Sequence, residues 1–295
     1  MDKGTRGSFN LRLLLLRILF CIGIGIMAYP YVSNALYQLR ANDEIKALDE
    51  AVSEGDAKSY DAELKRARAY NKKLVGETVP DVFAIREGTV DKEYESFLNV
   101  QGDQMMGKLE IPVIRATLPV YHYSTEDTLL KGCGHIFGSS LPVGGKSSHA
   151  VVTAHRGLPS AKLFTDLDQV REGDKFYLTV LGKTLAYEVD HIEVVAPTET
   201  RSLAIKRGED LVTLVTCTPY GTNTDRLLVR GHRVPYKDAT EKQGVMPHWT
   251  FVLRILLQVL CIVVGAAAAV LLRRLMAWWR ARKAGKGGRV GQRND

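Results

Sequence analysis

The sequence predicts a mainly-β domain, a closed or nearly closed barrel with short helices, set between two membrane-spanning helices. The first observation is a change of pattern at Gly107. From there the chain reads as short runs rich in β-branched and aromatic residues: Lys108–Ile114, Ala116–Tyr121, His149–Ala154, Lys175–Val180, Thr184–Val195, Leu211–Thr216 and Arg226–Val234. Many short strands at this spacing suggest a barrel. The second observation is a pair of long apolar stretches, Leu13 to about Leu36 and Phe251 to Leu272. Each is longer than the roughly 20 residues that suffice to cross a bilayer.

Taken in order, the N-terminal stretch opens on Arg12 and Arg17 and carries no charge from Ile18 to Val32. It is a signal anchor or a cleavable signal peptide. Ser33-Asn34-Ala35 is only a weak small-x-small cleavage site, which favours an uncleaved anchor. Leu39 to roughly Leu74 is charged, with Ile45, Leu48 and Val52 at helical spacing. It reads as one or two amphipathic helices packed on the β domain, or as a solvated charged linker. Val79-Pro80-Asp81-Val82-Phe83 by itself is a short loop with one aromatic. Leu158 to Leu167 is an expected short helix, and Leu181-Gly182-Lys183 a hairpin turn. Trp249 precedes the second apolar stretch and Trp278 and Trp279 follow it, where interfacial aromatic belts sit. A buried core helix is the alternative for that stretch, and its basic flank argues against it.

The formal net charge is +7, and its distribution excludes one class of function. Lys3, Arg6, Arg12 and Arg17 against Asp2 give the first 17 residues +3. Eight basic residues against Asp295 give residues 273–295 +7, which leaves −3 for everything between. A nucleic-acid binder carries its charge on the folded domain, so no nucleic-acid partner is expected. Basic ends on both apolar stretches place both termini in the cytoplasm and the middle outside. Cys21 and Cys261 lie in the apolar stretches, leaving Cys133 and Cys217 in the soluble part. That is no disulfide framework, and no CxxC or paired metal spacing occurs.

The chemistry concentrates at Thr213-Leu214-Val215-Thr216-Cys217-Thr218-Pro219-Tyr220. An apolar run ends on a cysteine, a turn-rich loop follows, and a second strand opens on Arg226. If the two strands are antiparallel neighbours, Cys217 meets Arg226 at the rim of the sheet. A cation favours the thiolate, and a guanidinium can donate to an oxyanion. A proton carrier is also needed. His155, in Val151-Val152-Thr153-Ala154-His155-Arg156-Gly157, ends another apolar run. Cys217, His155 and Arg226 are the candidate acyl-transfer site.

Thr213-Leu214-Val215-Thr216-Cys217 resembles the TLxTC signature of sortases, the cysteine transpeptidases of Gram-positive cell surfaces. Cys217-Thr218-Pro219-Tyr220-Gly221-Thr222-Asn223-Thr224 with Arg226-Leu227-Leu228-Val229-Arg230-Gly231 resembles class C, the pilin-polymerising sortases. So does His155 through Phe164. The resemblance runs from about Gly107 to Val234. It implies an eight-stranded barrel and no cofactor. Cys217 would be the nucleophile, His155 the general acid/base and Arg226 the oxyanion stabiliser. The motif selects Arg226 over its rival Arg230. The implied substrates are pilin subunits with an LPxTG-like sorting signal, cleaved between Thr and Gly and joined to a lysine amine. It further implies a lid in which Asp81 pairs with the arginine and Phe83 covers the thiol. Val82 departs from the family's proline there. Two other readings stay open: attachment of surface proteins to peptidoglycan, and a non-catalytic pilus-assembly scaffold. The expected segments are a cytoplasmic N-terminus and anchor (1–37), an amphipathic helical segment (38–75) and a lid and linker (76–106). The barrel (107–236), a linker (237–250), a second span (251–274) and a basic cytoplasmic tail (275–295) follow.

The remaining candidates have plainer readings. Cys133 and His135 would share a face of a strand, but two ligands do not make a metal site. His122, His149, His191, His232 and His248 read as structural or surface residues. Glu126, Asp127, Asp166 and Asp168 could suggest calcium, but surface carboxylate pairs are common, and no metal is expected.

Overall fold

The computed structural model describes residues 4–76 and 91–236, with scattered positions between 261 and 279. Its centre is a closed barrel of eight strands in the order β1-β2-β3-β4-β7-β8-β6-β5. These are β1 (Met105–Ile111), β2 (Ala116–His122), β3 (Cys133–His135), β4 (Ser148–Thr153), β5 (Lys175–Val180), β6 (Lys183–Val195), β7 (Asp210–Thr218) and β8 (Asp225–Val234). β2 with β3 and β4 with β7 run parallel, and every other pair is antiparallel.

A strand forms within each expected run, although β1 stops at Ile111 and Pro112–Ile114 make a 3-10 turn, and β3 is the addition. It has only three residues, two of them Gly134 and a histidine, so hydrophobic alternation could not reveal it. The β5–β6 turn has Leu181 and Gly182 at φ 47° and 73°. Two successive positive φ values match the twist of a tight hairpin, and glycine accepts one without strain. Alternate residues point inward. Leu109, Leu118, Val120, Ala150, Val152, Phe176, Leu178, Val212, Leu214 and Val229 belong to one buried cluster that fills the barrel.

The helix expected over 158–167 does not form. Leu163 takes a left-handed φ of 39°. The segment folds back so that the Phe164 amide donates to the His155 carbonyl at 3.1 Å, while Ala161, Leu163 and Phe164 bury in the barrel cluster. Only a short 3-10 turn follows, Leu167–Gln169.

The N-terminal arm differs from the expected division. The anchor and the first part of the amphipathic segment are one continuous helix, α1 (Gly4–Glu54), and the rest of that segment forms a second helix. Large apolar side chains from Leu14 to Val32 are exposed. Further along, Ile45 and Leu48 pack with Met105 and Tyr121 of the barrel wall. Among the described residues, α1 is the one helix long and apolar enough to cross a membrane. α2 (Ala57–Lys73) starts where Asp56 accepts from the Lys58 and Ser59 amides, each at 3.2 Å. It buries Leu64, Ala67 and Asn71, and the Asn71 amide bonds both the N–H and the C=O of Leu141. Two short helices complete the set, α3 (Lys92–Glu95) and α4 (Glu126–Lys131).

The lid residues Asp81 and Phe83, the linker 237–250 and most of the second apolar stretch lie outside the described residues. Residues Met246–Asp295 form a separate unit, helical at its described positions.

Candidate active site

Three neighbouring strands bring the candidate residues into one row. In the β7–β8 ladder Cys217 stands opposite Arg226. In the parallel β4–β7 ladder the last pair is Thr153 with Val215. His155 lies two residues past Thr153, as Cys217 lies two residues past Val215. The Ala154 amide donates to the Val215 carbonyl at 3.3 Å, which carries the pairing past the end of β4.

Parity places all three on one face. Ala150, Val152, Val212, Leu214, Leu227 and Val229 fill the barrel. Their alternates Val151, Val215 and Leu228 form a second cluster outside it, under Leu203 and Ile136. His155, Cys217 and Arg226 share the parity of that outer set. They follow it just where the cover ends, on strands about 4.8 Å apart. Cys217 is half-buried, whereas Thr216 before it is fully buried.

Two threonines lock the strands that carry the thiol and the imidazole. The Thr216 hydroxyl donates to the Ala154 carbonyl at 2.8 Å, and Thr153 donates to the Val215 carbonyl at 3.1 Å. Sequence reasoning assigned them no role, because a buried threonine in a strand reads as a β-former. The arginine end is held by its own loop. Arg226 Nη1 donates to the Asp225 carbonyl at 3.1 Å and reaches the Asn223 carbonyl at 3.4 Å. Asn223 has φ 56°, a conformation asparagine tolerates better than most residues.

Around His155 three further residues were missed or misread. Glu126 Oε1, the first residue of α4, is 3.4 Å from His155 Nε2, although the geometry is not that of a hydrogen bond. Arg156, nearly buried, bridges Thr218 at 3.1 Å and Asp168 at 2.5 Å and so ties the end of β7 to the segment after His155. Gly157 has φ 83°, and a Cβ there would lie 3.0 Å from the Tyr220 ring. The cysteine and histidine loops therefore meet at Tyr220 and Gly157. Asp166 likewise pairs, with Lys162 at 2.6 Å. Among the described residues no group of three or more His, Cys, Asp or Glu is placed to hold a metal ion.

The other candidates sit elsewhere. Arg230 pairs with Thr213 across the ladder, about 13 Å along the strand from Arg226. Its guanidinium holds Asp190 at 3.0 and 3.3 Å. His232 lies 3.7 Å from the same carboxylate, and His191 lies 3.6 Å from Glu193. His248 is outside the described residues.

Cys133 is fully buried, and burial pushes its thiol pKa far up, so it stays a thiol. His149 bridges the Ala204 carbonyl at 3.0 Å and the Thr213 hydroxyl at 2.7 Å. A carbonyl only accepts, so Nδ1 carries the proton and Nε2 accepts from Thr213. His135 is built the same way, with Nε2 donating to the Ser140 carbonyl at 2.8 Å and Nδ1 accepting from Tyr94 at 2.7 Å. Burial lowers both rings to about 4. His122, also buried and lowered by desolvation, lies edge-on to Tyr94.

Against known proteins, the sortase-domain family model matches residues 109–234. The chain is similar in structure to sortase C1 of Streptococcus agalactiae, with 45% identity and a TM-score of 0.63, covering 68% of this chain and 100% of that one. It is similar to sortase C of Streptococcus pneumoniae, with 44% identity and a TM-score of 0.62, covering 67% and 99%. Sortase A of Bacillus anthracis is 25% identical over 220 residues, 75% of this chain and 93% of that protein.

Proposed function

The chain belongs to the sortase family, and on that footing we propose that it is a membrane-anchored cysteine transpeptidase that polymerises pilins. The observation that supports the reading is the pairing of Cys217 with Arg226 in the β7–β8 ladder, with His155 two residues beyond the end of the neighbouring β4. Cys217 Sγ, its proton passing to His155, attacks the Thr carbonyl carbon of an LPxTG-like signal. The oxyanion forms beside the Arg226 guanidinium. His155 gives a proton to the leaving glycine amine, and a thioester remains on Cys217. A lysine amine of another pilin then attacks the thioester, His155 takes its proton, and an isopeptide bond replaces the thioester.

Pilin substrates are favoured by the sortase C relatives, one of them described for its pilin substrate specificity. In this reading Asp81 pairs with Arg226 and Phe83 covers Cys217 when the lid is closed. The anchor is α1, with Phe251–Leu272 as a second span, both termini inside and the barrel outside. The similarity to sortase A keeps one second reading, transfer to a cell-wall amine. A lysine-bearing pilin and a wall-bridge peptide, offered together as acceptors, separate the two.

The test is intact mass spectrometry of the full chain after incubation with LPxTG-type peptides. The wild type is expected to carry a thioacyl adduct that Cys217→Ala lacks. Substituting Asp81 and Phe83 together is expected to increase it. Equal adduct on the wild type and Cys217→Ala would sink the assignment.

A further inference from the structure

Helix α1 bonds two segments that adjoin His155, the loop after it and α4. One face of α1 carries Ser33, Asn34 and Tyr37 half-buried, with Ala41, Ile45 and Leu48 buried further along. These positions recur every three or four residues and so form one helix face. Where the face meets the barrel wall it is apolar. Where it meets the His155 loop it is polar.

Asn34 Oδ1 accepts from the Lys162 amide at 2.8 Å. The Ser33 hydroxyl lies 3.0 Å from the Pro159 carbonyl, with its own helix's Tyr29 carbonyl at 2.7 Å as the competing acceptor. Lys162 belongs to a loop tied directly to His155. The Phe164 amide donates to the His155 carbonyl, and the Thr165 amide donates to the Lys162 carbonyl at 2.8 Å. On the other side, the Tyr37 hydroxyl donates to the carbonyl of Lys131, the last residue of α4. The first residue of α4 is Glu126, whose carboxylate faces His155.

We propose that Asn34 and Tyr37 are positioning residues for His155, so that the membrane anchor is a working part of the active site. α1 clasps the two segments that flank the imidazole, the 157–165 loop and α4. Asn34 is the stronger half of the clasp, because its oxygen accepts a backbone N–H of the loop itself. Placement against the bilayer follows from the same helix. Arg17 to Asn34 is 17 residues, about 26 Å of helix, close to the roughly 30 Å of a hydrocarbon core. With Arg17 at the inner boundary, Asn34 and the loop it grips stand at the outer one. The positioning role rests on His155 acting in the transpeptidase reaction, whereas the clasp itself does not.

The test uses the full chain in lipid nanodiscs, as wild type, Asn34→Ala, Asn34→Asp and Tyr37→Phe. Hydrogen exchange over residues 156–165 reads the clasp without any turnover. Loss of one net hydrogen bond should raise that exchange roughly fivefold in Asn34→Ala. A carboxylate oxygen still accepts the Lys162 amide, so Asn34→Asp should return to the wild-type rate. Acylation of Cys217 by an LPxTG-type peptide reads the positioning. In Asn34→Ala kcat should fall roughly fivefold with KM unchanged, again with rescue by Asp, and Tyr37→Phe should show a smaller fall. Unchanged loop exchange in Asn34→Ala would remove the clasp. Faster exchange with unaltered kcat, a change in KM alone, or an aspartate variant as poor as alanine would remove the positioning role. A wild type that never acylates would instead overturn the transpeptidase reading, and the positioning role would fall with it.

Discussion

The barrel contains two cysteine–histidine pairs, and they behave as opposites. Cys133 and His135 sit in β3, fully buried, in a three-residue strand. Cys217 sits near the end of β7 and His155 two residues past the end of β4, where the outer cover stops. In the first pair the thiol is held protonated by burial, and both imidazole nitrogens are spent on Tyr94 and Ser140. In the second, the thiol is half-buried beside Arg226, and the His155 ring faces the Glu126 carboxylate. Residue type is the same in both places. What differs is access to solvent and whether a neighbouring charge or a neutral partner meets the ring.

The largest test of that contrast is at the thiols. Cys217→Ala is expected to lower acylation by more than about 10⁴-fold, to background, because no second accessible thiol exists in the described barrel to replace it. Iodoacetamide on the folded protein should label Cys217 and spare Cys133. Labelling of Cys133 at a comparable rate, read by peptide mapping, would erase the distinction. Arg226→Lys comes next. It keeps the charge but loses the planar fork, and acylation is expected to fall roughly 10²-fold. A comparable fall in Arg230→Lys would show that proximity to Cys217 is not what matters.

The buried half of the comparison predicts acid sensitivity. His135 and His149 are held at about 4 in the folded protein, against 6.5 for the free side chain. The unfolded chain therefore binds protons that the folded chain refuses. Their contribution is intact above about pH 6.5 and is lost as pH falls toward 4. By pH 5 each ring should cost about 2 kcal/mol, before most carboxylates titrate. Urea unfolding midpoints between pH 7.5 and 5 would read this directly. A flat profile would mean that charged imidazoles fit these sites.

Much of this was legible in sequence, and the failures are physical. β-branched runs leading to Cys217 and His155 placed the ends of β7 and β4 to within two residues, and the Cys217–Arg226 opposition needed only antiparallel pairing. β3 was invisible because Gly134 and two functional-looking neighbours carry no alternation. The 158–167 segment imitated a helix because its buried residues Ala161, Leu163 and Phe164 suited one, yet Leu163 turns left-handed to return Phe164 to His155. The contributions of Thr153, Thr216, Glu126 and Asn34 depend on contacts between distant segments. No local pattern announces a hydroxyl that will meet a carbonyl 62 residues away.

The smallest effect isolates the buried cysteine from the chemistry. Cys133 packs in the barrel cluster with Val120 and Val152. Cys133→Ser nearly conserves volume but places a hydroxyl in that apolar setting. Burying a hydroxyl without a partner costs about 1–3 kcal/mol. The expected outcome is a lower unfolding midpoint with Cys217 acylation, measured well below that midpoint, unchanged. If acylation falls with stability intact, Cys133 communicates with the rim, and the two pairs are not independent. If neither changes, the Cys133 site tolerates a hydroxyl and the barrel packs less tightly there than its full burial implies.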